Sequence, residues 1–330
     1  MSEPAPLTIL IVAYASRSTL PGVFEALAAQ SVKPARVRVL ENGSPDDTRI
    51  DPASIPEGVE LIVSEDNLGF AAGNNLLARD VTEPWLLLLN PDAFPEPDWI
   101  EQLMAATERW PETALFGCTQ LAHGAPGVLD GAGDVYHGCG LPYRGGYGLA
   151  VDVPPEGEVF GPCGAAALIR RDVFEALGGF DEDYFCYVED VDLAYRARLA
   201  GHTCVQVKDA VVSHMGYASS GRRSEFATYH GVRNRLITVL KDTPLLLLAP
   251  VLALHAFMTT LLWVSAFRFQ QGRLFTHAIA DALRAWPQTR AKRRKVQRNR
   301  VASSWSIAKA MTWDPYKLLS RKPDVRSRKP

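Results

Sequence analysis

Four short apolar runs, each stopped by a polar turn, constrain this chain more than any other feature. Residues 7–13 are an apolar stretch short enough for a buried parallel strand. A helical stretch runs on to about Gln30, and residues 37–40 make a second strand that stops at Glu41-Asn42-Gly43-Ser44. Residues 59–63 read as a third strand, leading into Asp66-Asn67-Leu68-Gly69-Phe70 and a helix carrying Ala71, Ala72, Leu76 and Leu77. Residues 85–89 are a fourth, closed by Asn90-Pro91-Asp92. Strands alternating with helices in this way predict an α/β domain with a mainly parallel sheet. Ligands bind such sheets beyond the carboxyl ends of the strands, where these polar turns fall.

Further along, residues 117–164 hold 13 of the 25 glycines, a density that suggests mobile loops or a short hairpin acting as a lid. Residues 165–177 and 191–199 read as helices, the second capped by Gly201. Residues 204–207 and 210–212 read as short strands, the latter running into His214, and residues 222–240 as a helix. Residues 244–267 carry no formal charge over 24 positions between Asp242 and Arg268, long enough to span a bilayer. The expected organisation is a catalytic domain over 1–240 and a hydrophobic, basic helical extension over 241–330.

The net charge of −2 hides an asymmetry: residues 1–267 sum to −16 and residues 268–330 to +14. An acidic body with a basic tail fits contact with anionic lipid, nucleic acid or the body itself. Nucleic acid ranks low, because residues 287–300 lack interleaved aromatics. A single span would put body and tail on opposite sides of the membrane, against the tendency of basic segments to stay cytoplasmic. An interfacial or re-entrant segment, broken at Pro250, avoids this; a buried or oligomerising helix is the bland alternative. Five cysteines without a CxxC pair read as reduced, mostly buried thiols of a cytosolic protein, and the N-terminus runs into a strand with no signal peptide expected.

Residues 178–196 contain six carboxylates, including Glu189, Asp190 and Asp192 before a helix. Such crowding favours a bound cation or a proton-transfer role, but an acidic helix start with Asp190 as N-cap explains it equally well. Asp92 and His214, each ending a strand, form a sparse hard-cation site suited to Mg²⁺ or Mn²⁺ that completes its shell from a diphosphate and water. Arg222 and Arg223 are placed to reach such a diphosphate or to be solvated surface arginines. No GxxxxGK[ST], GxGxxG after the first strand, GxSxG or HExxH pattern is present, which argues against the corresponding nucleotide and hydrolase sites.

The ordered blocks ILIVAYASR (9–17), VLENGS (39–44), DNLGFAAGNN (66–75), LLLLNPDA (86–93), the long block 161–202, VVSHMG (211–216) and YHGVRNRL (229–236) resemble the family 2 inverting glycosyltransferases, particularly the bacterial rhamnosyltransferase-like branch. The resemblance departs at Ala15, where Asn is usual, and at Glu41, where Asp is usual. It implies a GT-A-type fold binding a nucleoside diphosphate-sugar. Tyr14 and Glu41 would line the base and ribose pocket, with Asp66 and Asn67 beside them. Asp92 matches the metal-binding carboxylate, with Asn90 at the first position of the DxD-like turn, and His214 completes the metal site. Asp190 matches the general base and Glu189 its neighbour in the acceptor pocket, leaving Asp192 to cap or orient.

The activity so implied is transfer of a sugar, first rhamnose from dTDP-rhamnose, to a hydroxyl of a lipid-linked or cell-surface glycan. A UDP-hexose or UDP-N-acetylhexosamine donor is the near alternative, and a noncatalytic membrane-tethered glycan-binding protein the distant one. The hydrophobic segment and the basic cluster around Arg290–Arg300 suit a polyprenyl-diphosphate-linked acceptor and an anionic surface at the inner face of the cell membrane.

Overall fold

In the computed structural model, which describes residues 3–216 and 224–327, the first apolar run becomes the centre of a sheet. The chain begins β1 (Ala5–Ala13), α1 (Leu20–Ala28), β2 (Pro34–Asn42), β3 (Val59–Ser64), α2 (Gly69–Leu77), β4 (Trp85–Leu89), β5 (Ala93–Pro95) and α3 (Trp99–Arg109). β1 pairs in parallel with β2 and β4, and β2 with β3. With both faces covered, Leu7, Ile9, Leu10 and Ile11 are all buried, which is why that run has little polar alternation.

The second half adds β6 (Leu115–Ala122), β7 (Leu129–Ala132), β8 (Asp134–Tyr136), β9 (Pro142–Arg144), β10 (Gly157–Val159), β11 (Ala166–Arg170), α4 (Arg171–Leu177), α5 (Glu189–Leu199) and β12 (Cys204–His214). The sheet runs β10-β12-β6-β11-β4-β1-β2-β3, with β5 on β12 and β7 on β6; β8 and β9 pair separately. Residues 166–170, expected to be helical, are a strand antiparallel to both β4 and β6. Ala166 and Leu168 enter the core on one side of the sheet while Ala167 and Ile169 enter the other. The helix preference of alanine, a few tenths of a kcal/mol over strand formers, is outweighed by two ladders and two-sided burial.

Two further expectations change. Residues 204–214 are one strand with an irregularity between Val207 and Val211, not two. The glycine-rich segment is no loose lid: residues 129–141 are buried throughout. Its glycines serve close approach, since a Cβ at Gly140 (φ +72°) would lie 2.3 Å from Val239 and one at Gly133 (φ +77°) 2.6 Å from Val159. Gly201 does end α5, at φ +95°, with His202 N–H donating to the Ala197 carbonyl and Gly201 N–H to Arg198.

The C-terminal part consists of α6 (Glu225–Asp242), α7 (Leu245–Phe267), α8 (Gly272–Arg284), α9 (Trp286–Arg298), α10 (Ser304–Ala310) and α11 (Pro315–Ser320). Pro250 lies inside α7 without breaking it. Its missing N–H forgoes one bond, to the carbonyl of Leu246 in an exposed first turn. One side of α7 is docked through Val251, His255 and Ala266, and His255 Nδ1 bonds the Cys139 carbonyl at 3.0 Å. The other side leaves Phe257, Leu261 and Val264 at least half exposed. The tail then returns to the sheet layer, where Thr312 N–H donates to the Tyr136 carbonyl and Arg326 bridges Glu158.

A buried ion cluster locks α5 to α6. Asp192 is fully buried, accepts from Tyr184 Oη at 3.0 Å and Arg196 Nε at 2.8 Å, and pairs with Lys241. Lys241 also meets Asp181 at 2.6 Å, and Lys292 of α9 pairs with Asp181 and, at 2.6 Å, with Asp183. Burial alone would raise the Asp192 carboxyl; Arg196 and Lys241 instead hold it well below the ordinary carboxylate range. Its stabilising contribution therefore persists at neutral pH and is lost only as pH falls below that range. Lys241→Met should lower unfolding stability by about 3–5 kcal/mol in urea titrations, because it strips a buried carboxylate of a partner.

Candidate active site

The carboxyl ends of β1, β2 and β3 are stitched into one rim. Ala15, at φ +53° next to Tyr14, donates its N–H to Ser44 Oγ at 2.9 Å. Asn42 donates to Asn67 Oδ1 at 3.0 Å and accepts from Leu68 N–H at 3.0 Å. A Cβ at Gly43 would sit 2.5 Å from the Asp66 carbonyl carbon, so the β2 turn can touch the β3 turn only with glycine there. Asp66 and Asn67 are exposed on this rim. Glu41 is buried behind it, its two oxygens accepting from Ser44 N–H and Ile50 N–H, each at 2.8 Å.

Asp92 and His214, far apart in sequence, meet because β5 pairs with β12, setting Ala93 opposite His214, and Met215 N–H donates to the Asp92 carbonyl at 3.1 Å. His214 Nε2 lies 3.3 Å from Asp92 Oδ1 and 3.4 Å from Asn90 Nδ2, while Nδ1 lies 2.7 Å from Asp130 Oδ2. Asp130, itself paired with Arg144, was not foreseen: it sits among glycines and approaches His214 only once β7 has joined β6. Burial would lower the imidazole pKa, but the bonds to Asp130 and Asp92 push it up to about 9. A carboxylate on the far nitrogen is how ligating histidines are oriented, and a divalent cation beside Asp92 would bind Nε2 by displacing its proton. Among the described residues no cluster of three or more His, Cys, Asp or Glu forms a cage, which leaves room for ligand oxygens.

The third group is delivered by strained backbone. Phe185, Tyr187 and Val188 have φ of +61°, +69° and +72°, a conformation that costs of order 1–3 kcal/mol per residue unless surroundings enforce it. Asn234, fully buried on α6, enforces it: its Nδ2 donates toward the carbonyls of Tyr184 (2.9 Å), Cys186 (3.0 Å) and Tyr187 (2.8 Å). Arg233 reinforces the clamp through the Asp183 carbonyl and Asn234 Oδ1, both at 2.8 Å. Val188, not Asp190, is the N-cap of α5, so the capping role considered for Asp190 does not apply.

Asp190 Oδ2 accepts from Gly164 N–H at 2.9 Å and Oδ1 from Val191 N–H at 2.8 Å. Burial pushes its pKa up against these backbone donors. Glu189 beside it is buried with Oε2 unpartnered, and burial followed by the Asp190 charge pushes it well above the usual range. Both neighbours are thus raised, Glu189 without a partner for Oε2 and Asp190 against two backbone donors. Asp190, Glu189, Asn90 and His214 all line one cavity of about 840 Å³, together with Asp134, Arg144 and residues of α6, α7 and α8. Arg222 and Arg223 lie outside the described residues.

A mainly parallel sheet thus brings polar turns, the Asp92–His214 pair and the Asp190 carboxylate to one region of the molecule. Residues 8–178 match glycosyl transferase family 2, and the chain belongs to that family. It is 30% identical over 257 residues to the N-acetylglucosaminyl-diphospho-decaprenol L-rhamnosyltransferase of Mycobacterium tuberculosis, covering 68% of this chain and 81% of that one. S. aureus TarS 1-349 in complex with UDP-GlcNAc shares its fold with a TM-score of 0.57 at 16% identity, over 93% of each chain. The mannosyltransferase PcManGT from Pyrobaculum calidifontis, in complex with GDP-Man and Mn²⁺, does so with a TM-score of 0.51 at 16% identity, over 89% of this chain and 88% of that one. The fold is therefore GT-A, and the chain is a glycosyltransferase.

Asn234→Ala leaves three carbonyls of the strained run without their donor. It should cost about 1–3 kcal/mol of stability in urea unfolding. Sugar transfer should fall further than nucleotide binding, compared at a temperature where both proteins are folded.

Proposed function

We propose that this enzyme is an inverting transferase that moves rhamnose from dTDP-rhamnose to a hydroxyl of a polyprenyl-diphosphate-linked glycan, with Asp190 as general base. The observation that supports the reading is the shared cavity, lined by both Asp190 and His214, the histidine that lies 3.3 Å from Asp92. In a single displacement the acceptor hydroxyl attacks the anomeric carbon from the side opposite the departing diphosphate, and Asp190 accepts its proton. Proton transfer comes late, as the attacking oxygen gains bonding to carbon, so the base needs no strongly raised pKa. Glu189, whose buried Oε2 has no partner, is suited to hydrogen-bond the acceptor sugar. Tyr14, Asp66 and Asn67 receive the base and ribose, and Glu41 supports them by holding Ser44 and Ile50. Asp92 and His214 hold Mg²⁺ or Mn²⁺, with Asp130 fixing the imidazole; when bound, the cation offsets charge on the leaving diphosphate. The rhamnose and lipid-linked assignments draw on the name of the mycobacterial relative.

Asp190→Asn should lower turnover about 10²–10⁴-fold, with donor binding unchanged. In the wild type, a base must be ionised, so kcat/KM should rise with pH through a pKa above the ordinary carboxylate range. Thermal-shift titration with dTDP, UDP and GDP, each with and without Mn²⁺, should show a Mn²⁺-dependent rise largest for dTDP. A larger rise with UDP would move the donor to a UDP-hexose, and no rise with any nucleotide would favour a noncatalytic protein.

The enzyme acts at the cytoplasmic face of the membrane. α7 is buried against the body at Val251, His255 and Ala266 and leaves most of its apolar surface outward, which suits it to lie in the interface with that side inserted. Arg290, Arg294, Lys295 and Arg298 of α9 remain exposed, and each adds about 1 kcal/mol toward anionic lipid. Binding to phosphatidylglycerol vesicles should be salt-sensitive and weakened by reversing these four charges, with the nucleotide thermal shift intact. Unchanged vesicle binding in that variant would refute the assignment.

A further inference from the structure

The cavity holds a cation with no anion to match it. One face of α6, through Ala227, Thr228, Gly231, Val232 and Arg235, lines the cavity that contains Asp190. Arg235 makes no hydrogen bond or ion pair among the described residues, and its buried Nε has no acceptor. Arg144 in the same wall is paired with Asp130. The surroundings of Arg235 are neutral: burial lowers the His255 imidazole to about 4, its Nδ1 contacts the Cys139 carbonyl, and burial raises the Cys139 thiol. Burial depresses the Arg235 guanidinium itself to about 10, and no carboxylate stands close enough to raise it. An arginine left this way forfeits its hydrogen bonds and bears a desolvation cost, unless a ligand supplies the anion.

The position says which anion. Val232, one turn from Arg235, packs with Ala266 of α7 and Phe275 of α8. The same cavity wall continues through Leu262, Ala266 and Phe275 to Phe269, which is exposed beside the apolar side of α7. Arg321, from the turn after α11, also lines this cavity. One cavity thus carries the carboxylate of Asp190, an unneutralised guanidinium and an apolar wall that includes the exposed Phe269.

We propose that Arg235, assisted by Arg321, binds the diphosphate of the lipid-linked acceptor, and that the polyisoprenyl chain leaves along Leu262, Ala266, Phe275 and Phe269 toward the membrane. This rests on the transferase reading and assigns its acceptor subsite. The acceptor hydroxyl must reach Asp190 while its diphosphate lies beyond the first sugar ring. A guanidinium in the same cavity but outside the electrostatic reach of Asp190 meets that requirement. The planar fork of arginine suits two phosphate oxygens at once, which a lysine does not match.

Calorimetric titration of the full chain with farnesyl diphosphate, farnesol, and dTDP or UDP with Mn²⁺ tests the assignment. The wild type should bind farnesyl diphosphate more tightly than farnesol. Arg235→Gln should weaken farnesyl diphosphate binding about 10–100-fold, leaving nucleotide and phosphatidylglycerol vesicle binding unchanged. Arg235→Lys, which keeps the charge, should give an intermediate loss and serves if the Gln variant does not fold. Equal farnesyl diphosphate affinity in wild type and variant would overturn the proposal. So would a loss confined to nucleotide binding, which would place Arg235 on the donor, or a loss of vesicle binding, which would place it on lipid headgroups. Wild-type sugar transfer, measured separately, tests the transferase reading by itself, whatever the Arg235 variants bind.

Discussion

The contact between α5 and α6 is the constraint from which the rest of the site follows. Lys241 and Asn234 lie on one helix and act on the two ends of one acidic segment. The first pairs with Asp181 and Asp192, and the second donates to the carbonyls that precede Glu189. Buried ion pairs are poor sources of net stability, but they define geometry, and breaking one is costly. Here the geometry so defined is a left-handed run of backbone that no local preference would produce. The same helix carries Arg235 and packs on α7 and α8, so the placement of the base and the placement of the apolar wall are one structural decision.

This arrangement explains why so acidic a segment tolerates its own charge. Asp181 and Asp183 are matched by Lys241 and Lys292, and Asp192 by Arg196 and Lys241. Burial raises Glu189, and Asp190 beside it in the cavity wall is braced by two backbone N–H groups. No cation is required to hold the segment together. Part of the basic tail therefore serves the acidic body: Lys292 pairs with it, and Arg293 donates to the carbonyls of Leu240 and Thr243. Arg290, Arg294, Lys295 and Arg298 remain outward.

The sequence was most legible where local signals and tertiary context agree. The first four strands and their polar turns, the end of α5 and the glycine after it were all readable, because periodicity and turn chemistry act over a few residues; the left-handed Val188 that starts α5 was not. Asp92 and His214 could be singled out as candidate ligands at strand ends, although only the β5–β12 pairing brings them together. Residues 166–170 misled because alanine favours helix in isolation, and a central slot between β4 and β6 is a non-local fact. Asp130 acts through contacts to residues distant in the chain, so no spacing rule marks it, and Asn234, visible within the block 229–236, shows its clamp on the 184–187 carbonyls only in the fold. The glycine-rich stretch suggested mobility, whereas its glycines admit Val239 and Val159 at distances that a Cβ would forbid.

The account turns on Asp190 acting as a base in a single displacement. The most direct test is the anomeric configuration of the product, read from NMR coupling constants after transfer from a nucleotide sugar of known configuration. Inversion at the anomeric carbon is the predicted result. Retention would require a different mechanism and would contradict the role given to Asp190.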